Sequence, residues 1–261
     1  QTARTGTATT TVRVLDRNEK PNAVDPSGCD VSENSIVSTL VCKVATTDVD
    51  VNQTINYRIT SPSGLNEFSI DADGSVRVNQ DNVLDFESKK SYSFIVTATD
   101  TGTDPKDLQD TATVAVTIID INEPPIVDEK LLQFNVDENA NSQPRQARYC
   151  DCGSKAVGSA QAAASDPDEQ DVGKLTFAWE ASSPFQSIFA IDPNTGAITI
   201  KAGQEVDFET KIEYALNVTV TDSGWEAGKP ALSTTAPVVI KVNDVPEQPA
   251  LNVSLVPVFK V

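Results

Sequence analysis

The sequence repeats itself with an offset of about 122 residues, and this repeat constrains the fold more than any other feature. The matching segments, first copy and then second, are FSIDADGSVRV (68–78) and FAIDPNTGAITI (189–200), LDFE (84–87) and VDFE (206–209), and YSFIVTATD (92–100) and YALNVTVTD (214–222). Their order is the same in both copies. The chain is therefore predicted to contain two tandem domains of one kind rather than a single large core.

Each copy carries the pattern of a β-sheet. In YSFIVTATD, apolar residues occupy every second position from Tyr92 to Ala98, and this period of two marks a strand with one buried face. The stretches D-x-D-G and D-P-N-T-G are typical of hairpin turns. Four residues are therefore interpreted as turn residues rather than metal ligands: Asp71, Asp73, Asp192 and Asn194. About seven short strands per copy predict an all-β chain of tandem seven-strand Greek-key sandwiches of the Ig-like kind.

The repeat also sets the expected domain boundaries. One complete repeat is predicted at 22–122 and a second at 123–246, and the second carries an insertion near 141–156 that the first lacks. Residues 1–21 are interpreted as the last strand and linker of a preceding repeat. Residues 247–261 are interpreted as the start of a following repeat.

The charge of the chain excludes some classes of partner. Asp and Glu number 38 against 20 Lys and Arg, which gives a formal net charge of −18 and a pI near 4.3. Such a chain lacks the basic surface that follows a phosphate backbone, so no nucleic-acid partner is expected. The negative charge fits either solubility in salt or bound divalent cations. No apolar run reaches the roughly 18–20 residues of a membrane helix, so no membrane segment is expected.

Cysteines and glycosylation sequons favour an extracellular or cell-surface location. The four cysteines are Cys29, Cys42, Cys150 and Cys152. With no histidine in the chain and an unsuitable spacing, they do not indicate a zinc site. The three N-x-S/T sequons, which are candidate glycosylation sites, begin at Asn52, Asn217 and Asn252.

The cysteines differ in how clearly their pairing can be predicted. Cys29 lies on the expected first strand and Cys42 on the second, so a disulfide between them is favoured over free thiols. It would close a loop of about 14 residues and contribute about 3 kcal/mol to the free energy of unfolding in the chain-entropy model. Cys150 and Cys152 lie in the insertion, where a bond to each other and a bond to another chain are both open.

Acidic residues gather where strands begin or end, so a sandwich would place them at two opposite poles. Asp48, Asp50 and Asp100 are expected at the pole that faces the incoming linker. The junction between the two repeats would then be lined by Glu33, Asp85, Glu87, Asp120, Asn122, Glu123, Asp166, Asp168 and Asp222. Eight carboxylates this close would repel one another strongly unless cations were bound.

Calcium is the cation that best fits this predicted crevice. Ca²⁺ takes about 6–8 oxygen ligands at about 2.3–2.6 Å, and it tolerates irregular geometry. Three such ions would bring a charge of about +6 against the eight carboxylates. Mg²⁺ is less suitable because it prefers a near-ideal octahedron and retains water, and transition-metal sites usually contain His or Cys.

The motifs x-E-x, L-D-x-E, D-x-N-E-x-P, D-x-D and T-x-T-D together resemble those of cadherin repeats. They cover nearly the whole chain and occur twice, as in SENS (32–35), LDFE (84–87) and DINEPP (120–125) of the first copy. The resemblance implies cadherin-like sandwiches joined end to end by calcium-binding linkers. It also implies three Ca²⁺ at the central junction, held by the nine side chains named above together with backbone carbonyls.

The resemblance implies a partial calcium junction at each end of the chain. The N-terminal one would use Asp16, Asn18, Glu19, Asp48, Asp50 and Asp100. The C-terminal one would use Glu138, Asp207, Glu209, Asp244 and Glu247. Pro246 stands there in place of the linker asparagine, so fewer or weaker ions are expected at that junction.

The function predicted from these features is a non-catalytic, calcium-stiffened extracellular rod that serves calcium-dependent adhesion. Its expected partners are other repeats of the same long chain, and homophilic contacts would follow from adhesion. The alternative is a structural segment of an extracellular fibre or surface appendage, with fibre-forming contacts through the insertion. An enzyme is not expected: the lack of histidine excludes Ser-His-Asp and Cys-His mechanisms, and the paired carboxylates are explained by the poles.

Overall fold

The computed structural model describes residues 2–138, 154–224 and 229–246, and these residues divide into two compact units between Ile121 and Asn122. Nearly all their regular structure is β-strand, which confirms the all-β prediction. No helix in these three ranges has the length and apolar character that a membrane crossing requires.

The first unit contains nine strand segments. They are β1 (Asn22–Val24), β2 (Cys29–Ser32), β3 (Leu40–Lys43), β4 (Ala45–Thr47), β5 (Asn56–Ser61), β6 (Phe68–Ile70), β7 (Ser75–Val78), β8 (Ser91–Thr99) and β9 (Gln109–Ile119). One sheet has the strand order β2-β9-β8-β5, a second has the order β3-β7-β6, and β1 pairs separately with β4. Strand β2 runs parallel to β9, whereas the other pairs are antiparallel.

Nine segments arise from the seven predicted strands because the first two strands are interrupted. Pro26 and Gly28, which has a positive φ of 67°, separate β1 from β2. Since proline donates no backbone hydrogen bond and glycine tolerates positive φ, a strand breaks readily there. At the second interruption the buried Val44 separates β3 from β4, and its N–H donates to the carbonyl of Gly74 at 2.9 Å.

The second unit repeats this arrangement. Its strands are β10 (Ile126–Val127), β11 (Gln133–Asp137), β12 (Lys155–Ser159), β13 (Ala164–Ser165), β14 (Thr176–Trp179), β15 (Phe189–Ile191), β16 (Ala197–Ile200), β17 (Glu213–Thr221) and β18 (Ser233–Asn243). The strand orders are β11-β18-β17-β14, β12-β16-β15 and β10-β13, with β11 parallel to β18. The described loops of this unit contain three single-turn 3-10 helices, at Glu129–Leu131, Gln161–Ala163 and Glu169–Asp171.

Each unit has its own hydrophobic core, formed by the inward-facing residues of its long strands. In the first unit the ring of Phe68 stacks on Phe94 at 5.3 Å between centroids. In the second, Phe189 meets Tyr214 edge-on at 5.2 Å. A fully buried large apolar side chain contributes about 1.5–3 kcal/mol to the free energy of unfolding. Each unit therefore has a source of stability of its own, on which its loops are mounted.

The Cys29–Cys42 disulfide predicted from the sequence is present, and it joins β2 to β3. These two strands belong to different sheets of the first unit, so the bond crosses the sandwich. Cys29 is buried. Cys150 and Cys152 lie outside the described residues.

Two other local predictions have different outcomes. The turn assignments are confirmed, because Asp73 accepts from the N–H of Ser75 at 3.0 Å and Asp192 accepts from the N–H of Thr195 at 2.8 Å. The interpretation of residues 1–21 as the last strand and linker of a preceding repeat stays a prediction, and residues 2–20 form no strand in the described structure. Alternation alone does not make a strand, since a ladder requires a neighbouring strand with which to exchange hydrogen bonds.

Candidate cation-binding sites

Strand register brings acidic residues together at one end of each unit. In the first unit β2 runs parallel to β9 with Ser32 opposite Ile119, so Glu33 and Asp120 follow as neighbours. One carboxylate oxygen each from Glu33, Glu87 and Asp120 lies within 4.8 Å of the others. Three carboxylates this close form a potential metal-binding cluster.

Glu33 organises this cluster through backbone hydrogen bonds. Its side chain is buried, with only 1% of the residue exposed. One oxygen accepts from the N–H of Phe86 and the other from the N–H of Ile121, both at 2.8 Å. The carboxylate therefore ties the LDFE segment to the start of the linker, 53 and 88 positions away in sequence.

Glu138 repeats this role in the second unit. Its two oxygens accept from the N–H of Phe208 at 2.9 Å and from the N–H of Val245 at 2.8 Å. The N–H of Val245, followed by that of Phe208, lowers the pKa of Glu138 below its ordinary value. Glu138, Asp207 and Glu209 form a cluster of the same kind, with oxygens within 4.8 Å of one another.

A second group of acidic residues lies at the other end of the long strands. Strand β17 ends at Thr221, paired with Thr176 of β14, so Asp222 lies near the loop that contains Asp166 and Asp168. A nine-residue strand extends for about 30 Å, which separates Asp222 from the LDFE-equivalent end of the same unit. The two acidic groups of the second unit therefore lie at opposite ends of its long strands.

The linker residues are attached to this second group. The side-chain amide of Asn122 donates to Asp222 at 2.9 Å, and the backbone N–H of Glu123 donates to Asp168 at 2.9 Å. Asp222 also accepts from the N–H groups of Gly224 and Leu232, each at 2.9 Å. Linker and loops thus share one hydrogen-bond network.

Several oxygens of this network are left without donors. Within the described ranges, no hydrogen bond reaches the buried atoms Asn122 Oδ1, Asp166 Oδ2 and Asp168 Oδ1. Burial, followed by the like charges of Asp168, Asp171 and Asp222, raises the pKa of Asp166 to about 6. The arrangement disfavours the ionised carboxylate, and a bound cation would reverse this effect.

The first unit has the same network at its own linker. Asn18 donates to Asp100 at 3.1 Å, and the backbone N–H of Glu19 donates to Asp50 at 2.9 Å. Asp48 accepts from the N–H of Asp50, and its second oxygen is buried with no partner among the described residues. A polar cavity of about 290 Å³ lies here, and its lining includes Asp16, Asn18, Asp50, Gln53 and Gly102.

Some predicted ligands are engaged elsewhere or lie apart. Asp85 is exposed and accepts from both the N–H and the hydroxyl of Ser88, at 2.9 Å each, and it is not part of the Glu33 cluster. Asp244 is exposed, although strand register places it beside Glu138. Glu247 lies outside the described residues.

Asp171 is an acidic residue of this region that the sequence motifs do not include. This residue is fully buried, and its carboxylate forms a cluster with Asp166 and Asp168 in which one oxygen of each lies within 4.8 Å of the others. A signal was present in the sequence: Gln53 follows Asp50 at the same spacing of three residues, so both copies have an oxygen-bearing side chain there.

The sequons differ in their surroundings. Asn52 is exposed in a loop. Asn217 is half-buried on β17, and its amide donates to Glu180 at 2.7 Å, so a glycan there would have to replace that hydrogen bond. Asn252 lies outside the described residues. Glycosylation at each of these positions stays a prediction.

The comparison with known sequences identifies the domain type. A family model described as "Cadherin domain" matches residues 27–119 and 133–243. Human cadherin EGF LAG seven-pass G-type receptor 2 is 33% identical over 247 residues, which covers 93% of this chain and 8% of the receptor. Mouse protocadherin Fat 4 is 32% identical over 245 residues, which covers 92% of this chain and 4% of Fat 4. The chain thus spans less than a tenth of these relatives.

Solved structures have the same fold. Mouse cadherin-23 EC22-24 matches with a TM-score of 0.56 and 24% identity, covering 88% of this chain and 67% of that chain. Protocadherin gammaB7 EC3-6, described as a cis-dimer structure, matches with a TM-score of 0.53 and 25% identity. The match covers 88% of this chain and 52% of that chain. The resemblance noted from the motifs is confirmed, and the location is extracellular or at the cell surface. The chain belongs to the cadherin domain family.

Proposed function

We propose that this chain is a non-catalytic segment of an extracellular rod, in which calcium bound at the linkers stiffens the connection between consecutive cadherin repeats. The central site would be held by Glu33, Asp85, Glu87, Asp120, Asn122, Glu123, Asp166, Asp168 and Asp222. The partial sites at the two ends would be completed by neighbouring repeats of the same long chain.

The observation that carries this proposal is the set of buried oxygens that accept no hydrogen bond in the described structure. They include Asp166 Oδ2, Asp168 Oδ1 and Asn122 Oδ1. An ionised carboxylate removed from water without a partner costs several kcal/mol, so such atoms need a compensating positive charge. Carboxylate and amide oxygens in irregular geometry suit Ca²⁺, whereas Mg²⁺ prefers a near-ideal octahedron and retains several waters.

Covalent continuity supports a shared central site. Asp120 and Asn122 are separated by one residue, so their Cα atoms lie within about 7 Å of each other in any conformation. Asp120 belongs to the Glu33 cluster, and the side-chain amide of Asn122 donates a hydrogen bond to Asp222. Calcium held at the linker would thus draw ligands from both repeats. Without it, repulsion among the carboxylates would favour bending of the linker.

Calcium-dependent adhesion is the proposed use of the rod, because the relatives are cadherins and protocadherins. Homophilic contact is proposed as well, since the protocadherin gammaB7 ectodomain is described as a cis-dimer. No catalytic role is proposed, because the chain has no histidine and its clustered carboxylates are accounted for as cation ligands. The comparisons do not favour the fibre segment.

The test compares the purified chain in millimolar calcium and in excess EDTA. Calcium is expected to raise the melting temperature and to narrow the range of particle dimensions in small-angle X-ray scattering. Asp168→Asn should reduce both effects, whereas Asp192→Asn, which changes charge in an exposed hairpin turn, should preserve them. An identical melting temperature and scattering profile in calcium and EDTA would refute the proposal.

A further inference from the structure

The strongest additional feature is the carboxylate of Asp171, the last residue of the 3-10 helix Glu169–Asp171. Its exposed fraction is 0%, the same as that of Asp168, so two acidic side chains of this loop are completely removed from solvent. Fully buried aspartates are rare unless they are paired with a cation or extensively hydrogen-bonded.

The two oxygens of Asp171 have different environments. Oδ1 accepts from the backbone N–H of Ser223 at 2.8 Å and also from the Ser223 hydroxyl. Oδ2 is buried and accepts no hydrogen bond from any described residue. A purely structural role would be complete with the Ser223 contacts, so Oδ2 requires a separate explanation.

The position of Asp171 supplies that explanation. One carboxylate oxygen each from Asp166, Asp168 and Asp171 lies within 4.8 Å of the others, a spacing that a single ion with ligand distances of about 2.3–2.6 Å can bridge. Asp166 and Asp168 also each have one buried oxygen without a donor in the described structure. Three carboxylates, each with one buried oxygen that has no donor in the described structure, therefore lie together.

We propose that Asp171 is a direct oxygen ligand of the calcium ion held by Asp166 and Asp168, and that Ser223 orients its carboxylate. The inference rests on the proposed calcium function and extends it to a residue outside the linker and D-x-D motifs. Ser223 fixes Oδ1 with two donors, which leaves Oδ2 for the ion.

The first repeat shows what changes when this carboxylate is absent. Gln53 occupies the same position relative to Asp50, and its amide nitrogen donates to Asn18 Oδ1 at 2.6 Å. The second repeat has a carboxylate instead, and its linker oxygen, Asn122 Oδ1, has no donor among the described residues. Each repeat has one buried amide oxygen without a donor in the described structure, Gln53 Oε1 in the first and Asn122 Oδ1 in the second. The second repeat therefore differs by one additional carboxylate charge, which predicts tighter calcium binding there.

The test uses Asp171→Asn in the full chain, with Asp192→Asn as the matched control and Asp168→Asn as the reference for a lost ligand. Asparagine retains an oxygen for Ser223 and removes the charge. Calcium affinity is measured by isothermal titration calorimetry and by terbium luminescence, and melting temperature is measured in EDTA. Asp171→Asn should weaken calcium binding about tenfold or more, since ligand charge count sets calcium affinity. The melting temperature in EDTA should stay constant or rise.

The outcomes separate this inference from the proposed function. Absence of calcium binding by the unaltered chain would overturn both. The role of Asp171 alone would be overturned if Asp171→Asn kept the wild-type calcium affinity while Asp168→Asn lost it. It would also be overturned if Asp171→Asn lowered the melting temperature equally with and without calcium.

A second variant keeps the inference testable if Asp171→Asn does not fold. Gln53→Glu places a carboxylate at the equivalent position of the first repeat and should tighten calcium binding there several-fold. Unchanged binding in Gln53→Glu would count against a ligand at this position.

Discussion

The side-chain amide of Asn122 donates to the carboxylate of Asp222 at 2.9 Å, across 100 positions of sequence. Asn18 makes the corresponding bond to Asp100 at 3.1 Å in the first unit. In both copies this hydrogen bond attaches the linker to the residue that follows a long core strand. The linker is therefore held against the core of its unit by a contact that does not require a bound ion.

Asn122→Ala should weaken calcium binding about tenfold and lower the free energy of unfolding in EDTA by about 1 kcal/mol. The substitution removes the hydrogen bond from the side-chain amide to Asp222. It also removes an amide oxygen that is available to an ion. Calorimetric titration and urea unfolding measure the two effects. Asn66→Ala, at an exposed loop position, is the control. Wild-type calcium affinity in Asn122→Ala would show that the amide is not a ligand.

Glu33→Ala should destabilise the first unit even without calcium. The substitution leaves the N–H groups of Phe86 and Ile121 without their acceptor, at a cost of about 2–4 kcal/mol. Glu33→Gln keeps one carbonyl oxygen as an acceptor, so its free energy of unfolding should fall less than that of Glu33→Ala. Urea unfolding in EDTA measures both variants against Glu213→Ala, at an exposed position on β17. Equal stability of Glu33→Ala and the control would contradict the anchoring role.

Gly102→Ala should impair the first linker site with little effect on the core. A Cβ at this position would lie 1.9 Å from Oδ1 of Asn18, so the asparagine side chain must move away from Asp100. Calcium binding by the first unit should weaken, and the melting temperature in EDTA should change little. Gly6→Ala, which meets no atom within 4 Å, is the control. Retained calcium affinity in Gly102→Ala would argue that Asn18 takes no part in binding.

Removal of the disulfide by the double substitution Cys29→Ala and Cys42→Ala should lower the free energy of unfolding by about 3 kcal/mol, because the open loop gains entropy in the unfolded chain. Urea unfolding measures the loss. A reducing agent should destabilise the unaltered chain more than it destabilises the double variant. The calcium-induced shift of the melting temperature should persist in both, since the bond lies in the core of the first unit and neither cysteine belongs to an acidic cluster.

The sequence by itself determined the all-β fold, the two copies and most of the acidic residues that gather at the poles. A strand with one buried face has a period of two, and an internal repeat presents every motif twice, so these are local signals that need no knowledge of the fold. The Cys29–Cys42 pairing was also readable, since both residues fall on neighbouring predicted strands.

The tertiary structure alone decided which carboxylate oxygens remain available to a cation. Glu33 and Asp222 use oxygens to accept backbone N–H groups, whereas Asp166, Asp168 and Asp171 each keep one buried oxygen without a donor in the described ranges. These partners lie up to 88 residues apart, and the geometry of a hydrogen bond depends on how the sandwich closes rather than on spacing along the chain. For the same reason only the folded structure places Asp171 beside Ser223 and close to Asp166 and Asp168.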